Sequence, residues 1–205
     1  GRLILIQKKG VFMSKSIRIY SFEIPEELDS KLTPQIKQIL EGISESGNAL
    51  TITVTDTSAA ADALNTLDGK TTVAVSVNST TITGSVSDIS SAYASSGISG
   101  LGNEAITASG TLTVAQANTL AGLTTGAVTS TITSGDMTTL AGLSETGHAH
   151  TITVTDKSVV ASTLNTLDGK TTVAIDASAI TTITGTGIDA KVAFASSGIS
   201  GLTFD

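Results

Sequence analysis

Two hydrophobic periods alternate along most of this chain. Residues 51–56 (TITVTD) place Ile52 and Val54 on one face and Thr51, Thr53 and Thr55 on the other, which is the two-residue period of a strand with one buried side. The Ala/Leu-rich stretches that follow have a longer period. Ala60, Ala63, Leu64 and Leu67, and further on Val160, Thr163, Leu164 and Leu167, fall at i, i+3, i+4 and i+7, the spacing of a helix with one buried stripe. Asp56 and Asp156 stand where helix N-caps are expected, and Gly69 and Gly169 where left-handed C-caps are expected.

The pattern recurs at two scales. Residues 51–56 return unchanged at 151–156, residues 64–74 return at 164–174, and after one inserted residue 94–101 reappear as 195–202, a long period of 100 to 101 residues. Within it, the glycines that close the Ala/Leu stretches (Gly69, Gly97, Gly122, Gly142, Gly169 and Gly198) are 28, 25, 20, 27 and 29 residues apart. That spacing, about 26 on average, lies in the range of solenoid coils. One strand and one helix per coil, stacked in order, predicts an α/β solenoid of about six coils over residues 49–205, with a parallel sheet on one side and helices on the other. The plan is similar to that of leucine-rich repeats without their consensus. Because Thr, Val and Ser also suit strands, a right-handed all-β helix is the alternative.

Residues 1–48 follow another pattern. Over 13–48 the sequence predicts an N-terminal strand–helix cap. Ile17 and Ile19 alternate with polar residues, Pro25 opens a helix with Glu26, Glu27 and Asp29 in its first turns, and Thr33–Pro34 opens a second helix with Ile36, Ile39, Leu40 and Ile43 on one face. Residues 1–12 read as a translated leader or cloning-derived segment. Lys8, Lys9 and Gly10 can be encoded by a purine-rich ribosome-binding sequence just before a start codon at Met13, and the apolar stretch lacks the length and cleavage site of a secretory signal.

Composition narrows the classes of function. The 205 residues are 40% hydrophobic, enough for a core, yet only 3% aromatic and 14% charged, with 35 threonines, 26 serines, 23 alanines, 20 glycines and no cysteine or tryptophan. This argues against disorder, against a disulfide scaffold and, since no apolar run reaches about 18 residues, against membrane insertion. Charge is uneven. Residues 1–48 hold seven basic and six acidic side chains, whereas 49–205 hold four lysines against twelve acids. An acidic body repels phosphate, so no nucleic-acid partner is expected.

The stretches TITVTDKSVVASTLNTLDGKTTVAIDASAITTITG (151–185) and ITASGTLTVAQANTLAGLTTGAVTSTITSGDMTTLAGLSETG (106–147) resemble repeats of very large, surface-located proteins of cyanobacteria. The resemblance covers residues 49–205 and carries no known activity. It implies a cell-surface or extracellular position, while the lack of a recognisable signal peptide leaves a cytoplasmic one open.

Candidate chemistry is sparse. His148 and His150 precede a strand with Glu145 nearby, but a metal site takes about three or four ligands and the first copy has Asn48 and Leu50 in their places. The two histidines are therefore expected to be solvated strand-edge residues. Asp56, Asp68, Asp88, Asp136, Asp156, Asp168, Asp176 and Asp189 could form carboxylate rows for calcium, which takes about six to eight oxygens, although each also suits a local cap or turn. A threonine grid on the sheet face, Thr51, Thr53, Thr55, Thr129, Thr131, Thr133, Thr151, Thr153 and Thr155, is a candidate binding surface for ice or glycan. Asp62, Lys70 and the serines supply no nucleophile beside a base, and the glycine-rich 84–102 matches no phosphate-binding loop.

The expected function is a non-enzymatic structural or protein-interaction module with no catalytic, cofactor or metal residues. The alternative is a ligand-binding module for calcium, glycan or ice. The expected partner is another protein or a second copy, met through the C-terminal end, where no polar helix covers the stack and Phe194 and Phe204 are the contacts.

Overall fold

A computed structural model describes residues 7–8, 47 and 49–203. The strand and helices expected within 13–48, and Phe204, lie outside the described residues. The chain divides into two compact units, Gly1–Ile106 and Thr107–Asp205.

In the first unit β1 (Gln7–Lys8) runs antiparallel to β2 (Leu50–Thr51). A repeated element follows: β3 (Thr53–Val54), β4 (Ser58–Ala60) and helix α1 (Ala61–Asp68), then β5 (Val75–Val77), β6 (Thr81–Gly84) and helix α2 (Val86–Ala94), then β7 (Ile98–Ser99). Every pairing among β3 to β7 is parallel. Thr53 lies beside Ser76 and Ser76 beside Ser99 in one ladder, and Ser58 lies beside Thr81 and Ala60 beside Thr83 in another. The inward positions are aliphatic, with Ile52, Val54, Val75, Val77 and Ile82 buried against Leu64, Leu67, Ile89 and Ala92 of the two helices, which pack side by side.

The division between the units falls within β8 (Ala105–Leu112). The second unit continues with α3 (Val114–Ala121), β9 (Val128–Ile132), the one-turn α4 (Met137–Leu140) and β10 (Ala149–Thr151). Then come β11 (Ser158–Val160), α5 (Ala161–Asp168), β12 (Ile175–Asp176), β13 (Thr182–Thr184), α6 (Gly187–Ala195) and β14 (Ile199–Ser200). β9 pairs with β10, β11 with β13 and β12 with β14, all in parallel. Three helix starts are capped by side chains that the helical spacing did not single out. Thr113 and Gln116 form a reciprocal capping box at α3, and the Ser85 and Thr186 hydroxyls accept the Asp88 and Asp189 backbone N–H groups at α2 and α6.

The class is therefore α/β with parallel pairing, and the helices set aside the all-β alternative. Three local expectations need correction. The full repeats carry two short strand segments rather than one, because the run 51–56 turns after Val54 and resumes as β4, which feeds straight into α1. Asp56 and Asp156 consequently lie outside the helices, whose caps are Ala60 and Val160 with no side-chain hydrogen bond. Gly69 and Gly169 are right-handed, at φ −66° and −67°, since each helix closes on its own carbonyls. The left-handed conformation falls instead on Gly100, at φ 89°, where the Val77 carbonyl leaves no room for a Cβ.

Candidate functional site

The polar side chains that recur in both long copies bind one repeat to the next. The Asp68 carboxylate at the end of α1 accepts the Ser95 hydroxyl at 2.6 Å, and that hydroxyl oxygen accepts the Gly97 N–H at 3.0 Å. The same three groups recur as Asp168, Ser196 and Gly198, at 2.6 and 3.0 Å. A Cβ on Gly97 or Gly198 would run into the carboxylate, so the glycine in each SSG sequence leaves space for the aspartate. Asn65 donates its amide to the Asp88 carbonyl and Asn165 to the Asp189 carbonyl, each at 3.0 Å. Asn118, in a third NTL sequence, donates to the Gly142 carbonyl at 2.8 Å and accepts the Ser144 N–H at 3.1 Å. Composition and helical spacing pass over these residues. The verbatim return of LNTLDGKTTVA and ASSGISGL was the signal that could have found them.

Other aspartates are used locally. Asp136 caps α4 through the Thr139 N–H at 2.8 Å, and this bond holds its carboxyl below the usual carboxylate range. Asp176 is lowered by Ser178, first through its side chain and then through its backbone N–H, which Asp176 accepts at 3.0 Å. Asp156 accepts the Met137 N–H at 2.6 Å, so it serves α4 from a distance rather than the helix that follows it. Asp88 and Asp189 accept the hydroxyls of their cap residues Ser85 and Thr186. Among the described residues no three His, Cys, Asp or Glu side chains come together as a metal-holding group.

Of the nine threonines proposed as a grid, Thr131 and Thr151 stand side by side across β9 and β10. Thr129 faces Ala149, Thr53 faces Ser76 and Thr153 faces Asp176, so the ladder ranks are mixed rather than all threonine. Thr133 donates its hydroxyl to the Leu112 carbonyl at 3.1 Å. Thr51, Thr151 and Thr155 are exposed, and Thr55 is half-buried.

The histidines contradict the expectation of solvated edge residues. His148 is 7% exposed and His150 2%, because they sit on the inward face of the strand, where the first copy places Leu50, itself buried. Val128 N–H donates to His148 Nδ1 at 3.1 Å, and Ser130 Oγ lies 2.8 Å from His150 Nδ1. The ring centroids are 5.5 Å apart. Burial first, and then the neighbouring His148 ring, push the His150 pKa down to about 4. The Thr171 hydroxyl accepts the His150 N–H at 3.0 Å and donates to the His150 carbonyl at 2.7 Å, as Thr71 does for Leu50 at 3.0 and 2.6 Å. Glu145 is exposed.

Phe194 lies half-buried on α6 and lines an open surface hollow with Gly187, Ala190, Lys191 and Ala195. Ile188 and Val192, on the same helix, are 78% and 52% exposed. Among the described residues no helix is long and apolar enough to cross a membrane. No family model, curated protein or solved structure matches the chain.

Proposed function

We propose that residues 49–205 form an α/β solenoid that serves as a non-enzymatic structural and protein-interaction module. The observation that carries this reading is the use of the recurring polar side chains. Asp68, Ser95 and Asn65, and their counterparts Asp168, Ser196 and Asn165, bond to backbone or side chains about one repeat away, roughly 23 to 28 residues along the chain. Groups that elsewhere do chemistry here hold successive repeats in register. The parallel ladders, in which residues 23 or 24 apart are neighbours, support the same stacking.

The partner reading rests on α6. Its exposed Ile188 and Val192 occupy the positions that α2 fills with Ser87 and Ser91, and Phe194 stands where α2 has Tyr93. The second copy is apolar on a helix where the first is polar, which supports self-association through this end. Membership of a surface or extracellular assembly is part of the proposal through the resemblance of the repeats.

Three measurements test it. Hydrogen–deuterium exchange of Asp68→Ala is expected to lose protection in residues 95–99, one repeat along the chain, as well as around residue 68, and a loss confined to residues 61–72 contradicts the stacking. Sedimentation velocity over a range of concentrations is expected to show association, and a strict monomer throughout contradicts the partner reading. Calcium at millimolar concentration is expected to leave thermal unfolding unchanged. A stabilisation would favour the ligand-binding alternative, because a ligand that binds only the folded state raises its stability.

A further inference from the structure

We propose that the seam between β9 and β10 is an acid-operated release, in which protonation of the buried His148–His150 pair frees β10 from β9. The geometry of the neutral pair sets the chemistry. Val128 N–H points at His148 Nδ1, so that nitrogen must offer a lone pair and the ring proton resides on Nε2. A second proton would turn the acceptor into a donor, leaving two N–H groups face to face and a buried backbone N–H without its bond. His150 can exchange one proton with the Ser130 hydroxyl in either direction while neutral. Charged, its Nδ1 can only donate and a cation is left 2% exposed. With the rings 5.5 Å apart, the first charge also opposes the second.

Among the described residues no carboxylate is bonded to either ring. β9 brings Val128 and Ser130, and the segment beside β10 brings Thr171 and Thr172. The charged groups of the surrounding segments are engaged elsewhere or exposed. Lys170 donates to the Ser144 carbonyl, Asp136 accepts from Thr139, Asp168 binds Ser196, and Glu145 is on the surface. Swinging the His150 ring out is opposed by its backbone, whose N–H and C=O are both held by the Thr171 hydroxyl. Relief therefore comes from parting the strands, whose register spans three residue pairs from Ala149 to Thr151, a short ladder of the kind that opens locally. The first unit has Asn48 and Leu50 in place of the two histidines, so its corresponding segment does not respond.

Hydrogen–deuterium exchange of the full chain at about pH 7 and about pH 4.5, corrected for intrinsic exchange, tests the device. Residues 128–132 and 148–154 are expected to lose protection by roughly 60-fold between the two pH values, the factor given by a pKa of about 4 in place of 6.5. Peptides from 75–84 are expected to keep theirs. The variant His148→Asn with His150→Leu, which restores the residues of the first copy, is expected to abolish the response. Equal protection of the seam at both pH values, release that persists in the variant, or equal loss in both units would each overturn the proposal. The chain has only two histidines, so imidazole NMR of the wild type gives a reading that no variant can spoil. A His150 signal that titrates near 6.5 in the folded chain would overturn it as well.

Discussion

Residues 49–101 and 149–202 are two copies of one design, and they differ in an orderly way. The interior bonds are the same in both. Thr71 and Thr171 hold a strand residue by its N–H and C=O, Asp68 and Asp168 receive a serine from the next repeat, and Asn65 and Asn165 reach the next helix. The differences fall at one buried seam, Leu50 against His150, at core positions that stay apolar, where Val75, Val77 and Ile89 become Ile175, Ala177 and Ala190, and on the outer surface, where Ala60, Ser87 and Ser91 give way to Val160, Ile188 and Val192. Side chains that fix the distance between repeats leave little freedom, because a displaced group would strand a partner in the interior. An outward residue has no such partner and is free to change the surface without changing the frame.

If the frame is common to both copies, matched core truncations must cost the same. Leu64 and Leu164 are 1% and 0% exposed, and Leu→Ala at either is expected to remove about 3 kcal/mol of stability, as transfer and cavity losses add. Urea denaturation of each variant checks this. Costs that differ between the copies by more than about 1.5 kcal/mol would show that the repeats do not share one packing.

The next effect separates the copies. The folded His150 pKa, about 4, lies below the unfolded value of 6.5, so between those values the unfolded chain binds more protons and stability falls as the pH drops. The contribution is complete above about pH 6.5 and is lost as the pH falls toward 4. Between about pH 7.5 and 5 the loss is about 2 kcal/mol. His150→Leu makes the second copy like the first and is expected to flatten this dependence. A variant as acid-sensitive as the wild type would place the sensitivity elsewhere.

Replacing the clamp aspartates comes next. Asp68→Ala and Asp168→Ala each leave a serine hydroxyl without its charged acceptor, at a cost of about 1.5 kcal/mol. The two costs are expected to match, and thermal unfolding of the pair would expose a clamp that works in one copy only.

How much of this was legible beforehand follows from the kind of signal each feature leaves. The helices over 61–68 and 161–168 were readable because Leu64, Leu67, Leu164 and Leu167 follow the helical period. The second strand segment of each repeat was not, since two or three residues such as Ser58–Ala60 are too few for a two-residue period to declare itself. The histidines were misplaced for a related reason. Polarity suggested solvent, whereas the alternation of β10 turns His150 inward and gives its ring nitrogen a partner in Ser130, twenty residues earlier. The clamps were written in the verbatim repeats, but a repeated Asp or Ser does not say which group it reaches until the chain is folded.

The smallest expected change in stability tests the outer surface. Ile188→Ser with Val192→Ser gives α6 the residues that α2 carries at the same positions, and both side chains lie mainly in water, at 78% and 52% exposure. Little burial is lost, so stability is expected to stay within about 0.5 kcal/mol of the wild type. Association is the quantity that should move. If the apolar face of α6 is what the second copy adds to the common frame, sedimentation of the variant should show a monomer at concentrations where the wild type associates. Unchanged association would mean that the difference between α2 and α6 has no part in bringing chains together, and that the contact lies elsewhere on the chain.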